Sequence, residues 1–393
     1  MIGSYKLYTG EANTLVCQSF SDCYPLLNKY ILTEGIKTES RLGLTYETLN
    51  FKIVITEPLK RCTVALNRNS NIFFHLAESL WVLSGRNDLE FIEIFNSRFS
   101  EFSDDKKTLH GAYGIRIRNW NDINISENLD QLYNVTSLLN SDPDLRRSVI
   151  SLWNPSLDLG KQSKDIPCNT QLVLRVKGND LQLTVFNRSN DLHWGYIANI
   201  FQFSFLGEIV SLLINKNYVK QTHFSQSLHI YTENNLIHKV AESEIQSIFY
   251  SQYTPKEFDF NFENSTDHFK ERFFELDTCL KNVTEKVLEY YNSDIKFLPD
   301  FLNALEIIRL KSQSVYEITY FLALFVSYKA ELKKGLSKNN LRIQYADYLV
   351  NKNQLDKFKH QDYFALALNY FIHRMDSEAK TKFTNTDTHM GEY

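Results

Sequence analysis

Cys168 follows Pro167 at the head of a stretch, residues 166–199, that holds most of the side chains capable of chemistry. A thiolate is a strong nucleophile, and a nearby guanidinium favours thiolate over thiol. Arg188 could supply that guanidinium. Leu172, Leu174 and Val176, then Leu181, Leu183 and Val185, recur with period two, and Gly178, Asn179 and Asp180 between them have turn chemistry. This spacing predicts a hairpin that returns Arg188 to the neighbourhood of Cys168. Alone, the pair says little, since a free cysteine is usually an apolar filler of the core.

Other reactive types stand in positions that need explaining. Glu78 interrupts the apolar run of residues 71–86, which reads as a helix stopped by Gly85. A carboxylate there is costly unless it is paired, used, or on a solvent-facing stripe. Tyr113 is bracketed by Gly111, Ala112 and Gly114, small residues that let the backbone present the phenol. Asn199 falls near the start of an apolar helix predicted over 197–214. A buried amide must be hydrogen-bonded, and its mixed donors and acceptors complement another amide edge. His229 and Tyr231, two apart in a strand predicted over 225–231, share a face. Arg146 and Arg147 precede a predicted strand over 148–153, and Arg41 lies in a loop of small residues. Such arginines are usually solvated, but their planar forks also suit a phosphate dianion.

Pro167-Cys168, Arg188-Ser189-x-Asp191, Gly195, Asn199 and His229-x-Tyr231 together resemble the active-site framework of the thymidylate synthases. The wider group includes the pyrimidine-nucleotide hydroxymethylases. The resemblance implies an α/β (α+β) fold, with a mixed twisted sheet and flanking helices. It implies that Cys168, activated by Arg188, adds to C6 of a uracil ring, so that C5 can attack a one-carbon electrophile. Glu78 would organise the water that moves protons, and Tyr113 would help remove the proton from the base. Arg41, Arg188, Ser189 and a second subunit's Arg146 and Arg147 would hold the phosphate. Trp153 and Asn154 complete the motif that follows the arginine pair. Asn199 would select uracil over cytosine, and His229 and Tyr231 would contact the sugar. Asp191 would bind the pterin of 5,10-methylenetetrahydrofolate. The implied substrate is dUMP or a close relative, and the implied assembly is a homodimer with shared sites.

Two departures bear on the product. Phe99 and Phe102 stand where the family has tryptophans, and Asn169 stands where it has histidine. An exocyclic methylene on the base can take hydride, giving a methyl group, or water, giving hydroxymethyl, and the sequence leaves both open. A nucleotide-binding homologue without one-carbon transfer is a further alternative, although a pure binder has no use for a thiolate.

Composition narrows the setting. A net charge of −4 on 393 residues, 43% of them hydrophobic, suits a large core and gives no sign of a nucleic-acid polymer as partner. Five scattered cysteines without metal-ligand spacing point to free thiols in a reducing compartment and to no metal. No signal-peptide pattern is seen, and the apolar stretch of 316–328 contains Glu317 and is too short to span a bilayer. A cytoplasmic protein with no membrane partner is the expectation. The expected division is a catalytic domain over 1–235 and a mostly helical region over 236–393, with the resemblance ending at Thr232. Residues 259–268 read as the linker, and helices are predicted over 283–291, 301–310, 315–334 and 363–375.

Overall fold

The structure, a computed structural model, describes residues 5–9, 13–40, 43–64, 68–121, 128–233, 253–263, 268–293, 301, 306–351 and 358–384. Among them, nine strands join one mixed sheet. They are β1 (Tyr5–Tyr8), β2 (Thr14–Cys17), β3 (Ile36–Ser40), β4 (Gly43–Ile55), β5 (Val149–Ser151), β6 (Asn169–Lys177), β7 (Asp180–Asn187), β8 (Asn190–Asp191) and β9 (Asn217–Tyr231). The order is β1-β2-β4-β9-β7-β6-β5, with β3 on β4 and β8 on β9. The expected hairpin is β6–β7, pairing Leu172 with Val185, Leu174 with Leu183 and Val176 with Leu181. Gly178 at φ +64° takes the left-handed turn position that a side chain would strain.

Period two places Leu172, Leu174 and Val176 of β6 and Leu181, Leu183 and Val185 of β7 on one face, where they are buried. Helix Gly195–Leu213 belongs to the same core. By length and composition it could cross a bilayer, yet 94% of its most apolar window is buried inside the protein. The other face carries a row across five strands, Val149–Val173–Thr184–Thr222–Val54, with none of these side chains fully buried.

Helix Ile72–Leu83, which carries Glu78, is held in the core by layers on several sides. Its Phe73 packs on Phe325, Tyr370 and Phe371, at ring-centroid distances of 4.8, 5.3 and 5.7 Å. Those rings come from helices Gln313–Lys333 and Gln361–Ile372, so the C-terminal helices share the sheet's core. The first long helix runs Phe20–Glu34, its start fixed by the capping box that Ser19 and Asp22 form. Helix Lys338–Asn351, weakly patterned, was not expected.

The linker expected over 259–268 needs correction where it is described. Phe258 and Phe260 are buried, and Asp259 accepts from the N–H groups of Gln313 and Ser314, at 3.0 Å each. A polar residue there caps a helix rather than joining two bodies. Residues 264–267 lie outside the described set.

Candidate active site

The hairpin closes at its open end through main-chain bonds. The Cys168 carbonyl accepts from the Arg188 N–H at 3.0 Å. The Arg188 guanidinium donates through Nε to the Pro167 carbonyl (2.8 Å) and through Nη2 to that of Ile166 (3.0 Å). Its cationic carbon lies 5.7 Å from the centre of the Trp153 ring. Arg188 therefore braces the turn that presents Cys168, whose side chain is half-buried. Ser189, also half-buried, comes next in the chain.

The residue after the thiol is tied to the predicted phenol. Asn169 donates to the Tyr113 hydroxyl from Nδ2 at 2.6 Å and from its backbone N–H at 3.3 Å. That oxygen accepts twice, leaving its own hydrogen to donate elsewhere. Burial foremost, and the nearby Cys168, push the Tyr113 pKa up. Glu78 Oε2 is buried with no hydrogen-bond partner among the described residues, and burial pushes this carboxyl up to about 8. Phe99 packs against Phe74 and Trp81, whereas Phe102 is an exposed hydrophobic, so only one of the pair joins the wall.

Asn199 is buried, and its Oδ1 accepts from Gln202 Nε2 at 2.8 Å. One turn of helix brings these amides together. Asp191 Oδ1 accepts from the N–H groups of His193 (2.7 Å) and Trp194 (2.9 Å). Burial, opposed by His229, those two N–H groups and Arg68, raises the Asp191 pKa. Arg68 Nη2 donates to the His193 carbonyl at 2.6 Å, and His193 Nδ1 bonds the Tyr24 hydroxyl. The Trp194 ring is 46% exposed, with Arg98 stacked over it at 4.3 Å. His229 and Tyr231 meet edge to face at 5.3 Å, and burial, opposed by Asp191, lowers the His229 pKa.

Arg146 and Arg147 are exposed and stand apart from this group. Extending the β5–β6 register puts Arg147 opposite Arg175, seven residues from Cys168 along β6. At the rise of an extended strand that is roughly 23 Å. Arg175 donates to the carbonyls of Asp144 and Leu145, just before the pair. Arg41 lies outside the described residues.

Gln202, Arg68, Asn187, Asn190 and His193 were missed by the sequence reading. The density of amides around Arg188, in the string FNRSND, was the available signal.

The half-buried Cys168 thiol and the braced Arg188 thus share one end of a mixed sheet. The family model described as thymidylate synthase matches residues 22–276. The chain belongs to the thymidylate synthase family. The match passes Thr232, so the resemblance extends further than the sequence reading placed it. Among curated relatives, the deoxyuridylate hydroxymethyltransferase of Pseudomonas phage M6 is 40% identical over 211 residues, 53% of this chain and 58% of the relative. Those of Bacillus phage SP01 and Delftia phage PhiW-14 are 39% and 35% identical, over 52% and 45% of this chain and 55% and 50% of the relatives. The chain thus spans about half the length of the curated relatives it matches.

Proposed function

We propose that the protein transfers a one-carbon unit to C5 of dUMP and releases 5-hydroxymethyl-dUMP. The observation that carries the reading is the Cys168–Arg188 corner, a half-buried thiol held at the sheet's end beside a phenol bonded to the next residue. The thiolate adds to C6, and the C5=C6 electron pair moves toward O4, making C5 nucleophilic. When bound, 5,10-methylenetetrahydrofolate supplies the one-carbon electrophile.

This chain's residues suit both molecules. Asn199 Oδ1, already accepting from Gln202, keeps a second lone pair for uracil N3–H, while its NH₂ can donate to O4. The Asp191 carboxylate accepts from the main-chain N–H of the exposed Trp194, so an acceptor and an aromatic residue stand close in the chain, suited to the donor-bearing edge and flat ring of a pterin. Glu78 and Tyr113 handle protons, and His229 and Tyr231 take the sugar hydroxyl. Arg188, Arg41 and Ser189 take the phosphate.

Arg146 and Arg147 are too far along the sheet to serve Cys168 of their own chain, which favours a homodimer in which they complete the partner's site. The uncovered row Val149–Val173–Thr184–Thr222–Val54 and the stacked Phe186–Phe224 pair (5.3 Å) supply an apolar face for that association. The names of the phage relatives favour the hydroxymethyl product over the methyl one. Release of the C5 hydrogen from labelled dUMP, dependent on methylenetetrahydrofolate, is the expected result. An enzyme that releases none overturns the reading.

A further inference from the structure

On the core-facing side of the sheet, the row nearest the thiol is made of amides. Register places Asn169 opposite Asn187, and Asn187 beside Ser225. Asn190 joins them by donating from Nδ2 to Ser225 Oγ at 3.3 Å. The rows behind, Leu172–Val185–His223 and Leu174–Leu183–Gln221, are apolar on β6 and β7. The three asparagines are 0%, 4% and 2% exposed. Their nitrogens are engaged, with the Tyr113 hydroxyl (2.6 Å), the Phe224 carbonyl (3.0 Å) and Ser225. The Asn187 orientation is compelled, because its partner is a carbonyl and only NH₂ can donate to it. All three Oδ1 atoms are buried with no partner among the described residues. Buried carbonyl oxygens in such number call for a donor.

The row lies next to the chemistry. Cys168 directly precedes Asn169, and Arg188 directly follows Asn187. Asn190 Oδ1 lies 3.8 Å from the point where a side chain on Gly195 would begin, at the start of the helix that carries Asn199 one turn later. We infer that this amide row binds a water molecule and aims it at the transferred carbon, which makes Asn169, Asn187 and Asn190 the residues that select hydroxymethyl over methyl. The inference rests on the reading under Proposed function.

Acceptors are the right groups for that task. A water donating its hydrogens to two amide oxygens turns its lone pairs outward, toward an electrophile, whereas N–H donors would occupy those lone pairs. Its oxygen bonds to the exocyclic methylene carbon as the C=C pair moves through C5 toward O4. The water's proton passes to the ionised form of Glu78. The returning electron pair re-forms C5=C6 and expels the Cys168 thiolate, so no oxidant or reductant is needed.

Asn187→Leu and Asn190→Leu test the assignment through hydroxymethyl-dUMP formed per C5 hydrogen released, with labelled dUMP and methylenetetrahydrofolate. Each variant is expected to lower that ratio about tenfold, the effect of one lost hydrogen bond, with thymidylate or trapped adduct in its place. Asn187→Gln, which keeps the amide but displaces it, provides a third, milder variant and should fall between. A purely structural role would lower hydrogen release and product together, and an unchanged ratio in all three variants overturns the inference. Wild-type protein that forms thymidylate with stoichiometric dihydrofolate also overturns it. Wild-type protein that releases no C5 hydrogen instead removes the proposed function itself.

Discussion

Between helix Gly195–Leu213 and the C-terminal helices, Glu208 accepts from Arg61 at 2.5 Å and from the Phe258 N–H at 2.7 Å. Glu317 accepts from Gln313 Nε2 and from the N–H groups of Lys359 and His360, at 2.8, 2.6 and 3.0 Å. Asp259 takes Lys359 Nζ as well as its two helix-capping N–H groups, and these bonds overcome burial to pull its pKa down to about 2. The Arg61 nitrogens with no acceptor among the described residues belong to a guanidinium lying over the rings of Phe201 and Phe205, at 5.9 and 5.5 Å. At the sheet's end the pattern reverses. The carbonyl oxygens of Asn169, Asn187 and Asn190 are all buried and have no partner among the described residues. Carboxylates satisfied by the chain itself join elements, whereas acceptors left over beside a thiol are held for something that arrives later.

The sharpest way to break this contrast is at the thiol. Cys168→Ala should lower turnover by on the order of 10⁴-fold or more while dUMP binding persists, since arginines and Asn199 supply the affinity. Steady-state rates with equilibrium dUMP binding check it, and undiminished turnover removes the nucleophile assignment. Next comes the joint. Glu208→Ala leaves Arg61 buried without its counter-charge and should cost about 3–5 kcal/mol in urea unfolding. A loss under 1 kcal/mol would show the joint to be dispensable.

Asn199→Asp should shift base preference from dUMP toward dCMP by roughly 1–3 kcal/mol, by analogy with base-edge readout. Competition binding reads it, and wild-type protein that already prefers dCMP contradicts the role given to Asn199. Glu78 gives an effect that depends on pH. Its carboxyl is raised from 4.5 to about 8 in the fold, so the folded chain binds the extra proton between those values. Stability from this group is fully present below pH 4.5 and is lost as pH rises through about 8. Relative to Glu78→Gln, the wild type should lose on the order of 5 kcal/mol over that range, and parallel stability curves would contradict it. The smallest effect is expected from Asp259→Ala, about 1 kcal/mol for a lost helix cap. Urea unfolding with turnover should show stability falling and the product ratio unchanged.

Local pattern carried much of this protein. Period-two leucines and a glycine turn define the β6–β7 hairpin, and the hairpin alone brings the Arg188 and Cys168 main chains together. His229 and Tyr231 share a face because strand periodicity is two, and Asn199 lies in a helix whose apolar run is continuous. Each of these follows from residues close in sequence, where geometry is set by backbone sterics.

What the sequence could not supply was the partner across the sheet or between layers. Asn187 meets Ser225 and the Phe224 carbonyl only because β7 pairs in parallel with β9, an arrangement no local period encodes. Glu78 reads equally well as a residue on a solvent-facing stripe; only the packing around its helix buries the carboxyl, and that desolvation raises its pKa. Asp259 reads as polar linker until the N-terminus of helix Gln313–Lys333 arrives to be capped. Strand period and helix run are local properties of the chain, but the satisfaction of a buried polar group depends on which distant segment packs against it, and that is decided only when the core closes.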